Sequence, residues 1–246
     1  MSRLFASAGS LLPVFRSLTA LLVALLPVLS ARADTITWTG NGDGSSWNDP
    51  ANWSGNAVPG AEDDVLITND GTYTVVLNVH ATINSLTLGG ESGTQTLRTG
   101  SATLTMNAAS TIGASGAVEW TGGTIEGGPL TNEGLMTLTG TSTNMILGAG
   151  TLVNTGTLRW ISGNLYLATG ATLDNRATVD LAADVDLRRS GNAPQTLINS
   201  GTLVKSAGAA EGENSFLDVP LVNDGGTIQV DQGTLHLTQG GTYTGG

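Results

Sequence analysis

The sequence contains no cysteine, only two histidines, 4% aromatic residues and 12% charged residues in a chain of 246. Each shortage excludes something. Without thiols there is no disulfide frame and no Cys-ligated metal, so the fold must be held by packing and hydrogen-bond ladders. His80 and His236 are too few for a histidine cluster. Basic side chains are scarce as well, nine against twenty acidic ones, for a net charge of −11. A phosphate backbone or an anionic membrane would be repelled by that field, so neither nucleic acid nor a charged lipid surface is an expected partner.

Long apolar runs are confined to the first 33 residues. Arg3 and Arg16 precede the run Leu18 to Leu29, "LTALLVALLPVL", and small residues at Ala31-Arg32-Ala33 close the segment before Asp34. Positive start, apolar middle and A-x-A end describe an export signal. A dozen residues interrupted by Pro27 fall short of the roughly 20 that span a bilayer. Residues 1–33 are therefore read as a cleaved signal peptide, the product as secreted or displayed at the cell surface, with no membrane span after cleavage. Removing Arg3, Arg16 and Arg32 leaves six basic against twenty acidic residues, a net of −14.

What the chain has in quantity is Gly and Thr, 35 of each. Both are poor in helix interiors. With 39% hydrophobic residues at regular places, the chain is not disordered either. Aligning its second half exposes a period: "PLTNEGLMTL" from Pro129, "TLVNTGTLRW" from Thr151, "TLDNRATVDL" from Thr172, "TLINSGTLVK" from Thr196 and "PLVNDGGTIQV" from Pro220. Their asparagines, Asn132, Asn154, Asn175, Asn199 and Asn223, are spaced 22, 21, 24 and 24 apart. A degenerate copy, "TIGASGAVEW" from Thr111, places Ala114 in the Asn slot.

Each unit reads Leu-x-Asn-x-Gly-x-apolar-x-apolar, a turn at two residue types that tolerate positive φ followed by period-two alternation. A further short strand follows in most units: Met145–Leu147, Leu165–Leu167, Val185–Leu187, Phe216-Leu217 and Leu235–Leu237. Three strands in 21–24 residues describe one rung of a parallel β-helix. Stacked rungs about 4.8 Å apart would share one core and line up their asparagines as an amide ladder. A β-sandwich also gives frequent turns, but the repeated Asn-x-Gly corner favours the solenoid. "INSLTLGG" from Ile83 and "ATLTM" from Ala102 fit as earlier rung strands, placing the repeats at 80–246 in seven or eight rungs. Trp120 and Trp160 share a mostly apolar slot with Leu138, Leu181, Lys205 and Val230, which reads as core with Lys205 at a strand end.

Residues 34–79 differ in composition. Trp38, Trp47 and Trp53 lie in turn-rich text, "TWTGNGDGSSWNDPANWSGNAVPGAEDDVLI". An open solenoid end needs a cover, and buried indoles supply one, so this module reads as an amino-terminal cap rather than a sugar-stacking platform. Trp38, Gly40, Trp47, Asn52, Trp53, Gly55, Pro59, Asp63, Asp64 and Ile67, followed by "INSLTL", resemble the start of exported bacterial β-helix repeat proteins of the autotransporter-associated β-strand repeat and haemagglutinin-like passenger type. "LVNTGTL" and "LINSGTL" resemble their rungs. The resemblance implies an all-β, right-handed parallel β-helix at the cell surface and carries no catalytic motif. The chain departs from that pattern in showing no carboxy-terminal barrel, anchor or sorting segment. Its last text, "LTQGGTYTGG", stops in mid-repeat, which is expected of a fragment or of a last rung covered by a partner or by self-association.

Candidate sites are few. Asn41, Asp43, Ser45 and Asp49, with Glu62-Asp63-Asp64, could gather oxygens for weak calcium binding near Asp43 and Asp63. An EF-hand loop counted from Asn41 would want Gly and Glu where Ser46 and Asn52 stand, so Asx turns are expected instead. Asp180, Asp184, Asp186, Arg188 and Arg189 form a charged cluster. A "DVDLR" strand would put Asp184, Asp186 and Arg188 on one outward face, where paired carboxylates suit glycoside chemistry. With no second cluster on a neighbouring rung, a solvated face with ion pairs is the preferred reading. The Thr-x-Thr pairs do not follow the rung period, and the outward row Glu119, Thr137, Arg159, Asp180, Val204 and Gln229 shows no uniform stripe. The expectation is a non-catalytic structural or adhesive solenoid with no catalytic, cofactor or metal residues and a glycan or cell-surface ligand; the alternative is a polysaccharide lyase or glycoside hydrolase acting through Asp184 and Asp186.

Overall fold

The computed structural model describes residues 34–140, 144–192, 194–208 and 214–244, so the leader expected at 1–33 lies outside it. The described chain is all-β: three parallel sheets stacked as a β-solenoid of about eight turns. Among the described residues no helix is long and apolar enough to cross a membrane.

Each turn visits the sheets in a fixed order. The first complete turn runs through Asp64–Ile67 in the first sheet, Tyr73–Leu77 in the second and Ala81–Ile83 in the third, then returns to the first sheet at Ser85–Leu88. From Asp64 onward, each described strand pairs in parallel with the strands one turn away rather than with the next strand in the chain. Backbone groups thus bond along the solenoid axis, while side chains alternate between the interior and solvent.

The alternation fills the interior with one column of side chains per inward position. In the second sheet one column is Trp120, Leu138, Trp160, Leu181, Lys205 and Val230. Trp120 and Trp160 are fully buried, as their apolar slot requires. A buried leucine contributes about 2 kcal/mol by removal from water, and leucine is the commonest residue of the core.

The asparagine ladder is present. Asn132 Nδ2 donates to Asn154 Oδ1 at 2.8 Å, Asn154 to Asn175 at 2.9 Å, Asn175 to Asn199 at 2.7 Å and Asn199 to Asn223 at 2.7 Å. The second N–H of each amide reaches a backbone carbonyl on the next turn, at Thr157, Thr178, Thr202 and Thr227. Turn backbones stack in the same register: the N–H groups of Thr155 and Gly156 both donate to the carbonyl of Asn132 at 2.8 Å.

Two details differ from the sequence reading. The slot below Asn132 holds Ile112, not Ala114, because the corner Gly113–Ser115 is one residue longer than the Asn-x-Gly corner and shifts the alignment. With no amide beneath it, Asn132 Oδ1 is buried without a hydrogen-bond partner. The corner glycines also owe their place to something other than positive φ, which Gly134, Gly156 and Gly201 do not adopt. A Cβ on Gly156 would lie 2.3 Å from the Gly134 carbonyl oxygen, so the backbone of the preceding turn leaves no room for a side chain.

Strand ladders begin before residue 80. Thr35–Thr37 pairs with Asp64–Ile67, and Tyr73–Leu77 pairs with Gln95–Thr99. The short alternations "DVLI" and "YTVVL" are strands whose turn-rich flanks conceal the period. Above them sits the tryptophan cluster. Trp38 and Trp47 each meet Trp53 edge-on, with centroids 4.9 and 4.8 Å apart, and Trp53 Nε1 donates to the Trp47 carbonyl at 2.7 Å. All three indoles are buried. Trp47 N–H donates to the Val76 carbonyl and Val76 N–H to the Ser45 carbonyl, which closes the first edge of the second sheet. The last turn is different: Thr227–Val230, Thr234–Leu237 and Gly241–Thr244 each have a neighbour on one side only among the described residues, and Val230 and Tyr243 are exposed.

Candidate functional site

The charged cluster is divided: Asp186 and Arg188 share the outward face as an ion pair, whereas Asp184 pairs with Lys205. The strand there is only Leu187–Arg189, and Asp184 precedes it in a bend. Asp184 Oδ1 lies 2.7 Å from Lys205 Nζ, which also donates to the carbonyls of Ala183 at 3.2 Å and Ala207 at 3.1 Å. Lys205 ends its strand, as expected, yet its whole side chain is buried in the apolar column. Asp186 is occupied twice, by Arg188 Nη2 at 2.7 Å and by the Phe216 N–H at 2.9 Å. That bond raises the Arg188 guanidinium above its ordinary value. Asp180 accepts from Ser206 Oγ and faces Arg159 at 3.7 Å. The carboxylates hold the wall together in separate pairs, unlike two acids flanking one scissile bond.

At the amino terminus the acidic loop is organised around Asn52, which is buried. Its Oδ1 accepts from the N–H groups of Gly42 at 2.9 Å and Gly44 at 3.0 Å, and its Nδ2 donates to Asp43 Oδ1 at 2.8 Å and the Ser46 carbonyl at 2.9 Å. Asp43 Oδ1 also accepts from the Ser45 N–H at 2.9 Å and the Ser46 N–H at 2.7 Å, an Asx turn. Hydrogen bonds from Ser46, then Ser45 and Asn52, hold the Asp43 carboxyl well below the usual carboxylate range. Asp63 instead ties its own turn, accepting from the Gly60 N–H at 2.8 Å. Asp64, lowered by bonds from Ser85 and Asn84, joins two turns of the first sheet.

Two outward features escaped the sequence reading. On the third sheet Arg188 lies 6.0 Å over the Phe216 ring, and Phe216 stacks on His236 at 4.7 Å with 13° between planes. The ring faces are spent on one another, so the stripe braces successive turns. On the second sheet a trough of about 660 Å³ follows the corner past Glu133, Leu135, Thr157, Arg159, Thr178, Asp180, Thr202, Val204, Gln229 and Asp231. From Ala114 to Asp231 its lining comes from six successive turns, so it runs along the axis for about 24 Å at one turn per 4.8 Å. The threonines at its floor are consecutive members of one outward row, Thr157, Thr178 and Thr202. That row stands at the seventh position of the aligned units, whereas Thr-x-Thr pairs within single strands give no hint of it.

Compared with known protein families, with curated proteins and with solved structures, the chain matches none. Its geometry identifies it as a parallel β-solenoid of about eight turns with a tryptophan cluster near the amino terminus.

Proposed function

We propose that the chain is an exported, non-catalytic structural and adhesive solenoid, comparable to the passenger of a surface protein, which presents an extended face to a ligand outside the cell. The observation that carries this reading is the unbroken wall: three parallel ladders closed at one end by buried tryptophans, whose candidate acids are engaged in holding turns together. The leader composition, the lack of cysteine and the acidity accord with an exported chain stabilised by packing and hydrogen-bond ladders without disulfides.

Protease shaving of intact source cells tests location: tryptic peptides from residues 34–246 should be released without lysis, and full protection would refute surface display. Catalysis is tested with reducing-sugar and lyase assays on uronate and neutral glycans. The expected result is no turnover, and turnover lost in Asp186→Ala would replace this reading with the carbohydrate-active one.

A further inference from the structure

We infer that the trough on the second sheet is a binding site for a single neutral glycan chain lying parallel to the solenoid axis, an assignment that deepens the extended-face reading above. Its volume of about 660 Å³ lies within the range of small-ligand sites, but it is drawn out over six turns, the form suited to a polymer rather than a compact molecule. Charge selects against polyanions: Glu133, Asp180 and Asp231 share the lining with one cation, Arg159, which already faces Asp180 at 3.7 Å. A uronate or phosphate polymer would meet an excess of its own sign.

An extended peptide is disfavoured by direction. The trough runs across the strands, and those beneath it before Thr227–Val230 are paired on both sides, so a peptide lying along the trough has no sheet edge to extend. What the floor offers instead is side-chain chemistry repeated once per turn. The hydroxyls of Thr157, Thr178 and Thr202 can donate and accept, and the exposed Leu135 and half-buried Val204 give apolar patches for sugar C–H faces. A row of hydroxyls at one per turn, with apolar patches beside it, suits a neutral polyol of regular repeat.

The test is titration calorimetry of the purified chain with neutral hexasaccharides (cellohexaose, laminarihexaose, mannohexaose and xylohexaose), their trisaccharides, and polygalacturonate. At least one hexasaccharide should bind, at least tenfold more tightly than its trisaccharide and more tightly than polygalacturonate. Thr178→Tyr, an outward change to a good strand former, fills the trough and should weaken that binding at least tenfold. Thr131→Tyr, outward on the first sheet and outside the trough, should leave it unchanged. Failure of all four hexasaccharides to bind, preference for polygalacturonate, or equal binding by Thr178→Tyr would overturn the assignment. Release of reducing ends from a bound hexasaccharide would leave it standing and overturn the non-catalytic reading instead.

Discussion

The corner between the first and second sheets is built in two ways along one molecule. A single inward column there holds Ile67, Leu88 and Ile112 in the early turns, then Asn132, Asn154, Asn175, Asn199 and Asn223 in the later ones. Corner length changes with it. After Ile67, Leu88 and Ile112 the chain takes five, six and three residues to reach the second sheet; after Asn132, Asn154, Asn175 and Asn199 it takes two. In each tight corner a threonine carbonyl at the start of the next turn's second strand is within reach of the amide, which satisfies it while also bonding the amide above. The wider corners have other means. Gln95, buried at the start of its strand, donates to the carbonyls of Gly71 and Ser92 and accepts from the Gly90 N–H. One slot therefore takes an apolar side chain or an amide according to whether the corner exposes a carbonyl to the interior.

The sharpest way to break this contrast is Asn154→Leu, which makes a late turn resemble an early one at the slot but not at the corner. Asn175 Oδ1 and the Thr178 carbonyl would lose their donor, a loss of about 4 kcal/mol at the usual cost of orphaned buried groups. Urea unfolding followed by circular dichroism measures it, and a loss below about 1 kcal/mol would mean that packing alone holds the corner. Next in size is Asp184→Ala, which strands Lys205 in the apolar column and should cost about 3 kcal/mol. Adding Lys205→Met should restore most of that stability in the same assay, because the column is otherwise apolar.

A smaller effect sharpens the comparison from the other side. Ile112→Asn gives Asn132 Oδ1 the donor it lacks, whereas Leu88→Asn puts an amide between two isoleucines. The first should be less destabilising by about 1 kcal/mol; equal losses would show that the ladder does not extend past the longer corner. The smallest is a pH effect confined to the cap. Asp43 is held below its ordinary value, so its contribution is complete above the unfolded carboxylate value near about pH 4 and is lost as pH falls toward the depressed folded value. Tryptophan fluorescence should report cap loosening only in that acid window. Asp43→Asn should remove this pH dependence.

Periodicity made most of the wall legible in advance. The Asn-x-Gly units located the later turns, the inward tryptophans and the ladder itself, because a slot occupied once per turn leaves a sequence signal at the same interval. The early turns were harder, since their corners vary from three to six residues and their column is ordinary leucine and isoleucine. The ion-paired face at Asp186 and Arg188 was legible, but Asp184 was misplaced for a related reason. Alternation in "DVDLR" predicts an outward strand, but whether Asp184 meets solvent or Lys205 depends on a residue one turn ahead.

By itself, then, the sequence determined the class of fold, the repeat and the corner chemistry, all of which are local patterns copied at a near-constant spacing. Tertiary structure alone decided which contacts form where successive turns differ in length. The pairing of Ile112 with Asn132, the Lys205–Asp184 pair and the trough are set by register between turns of unequal length. A single residue gained or lost at a corner shifts that register, and no pattern within one turn records it.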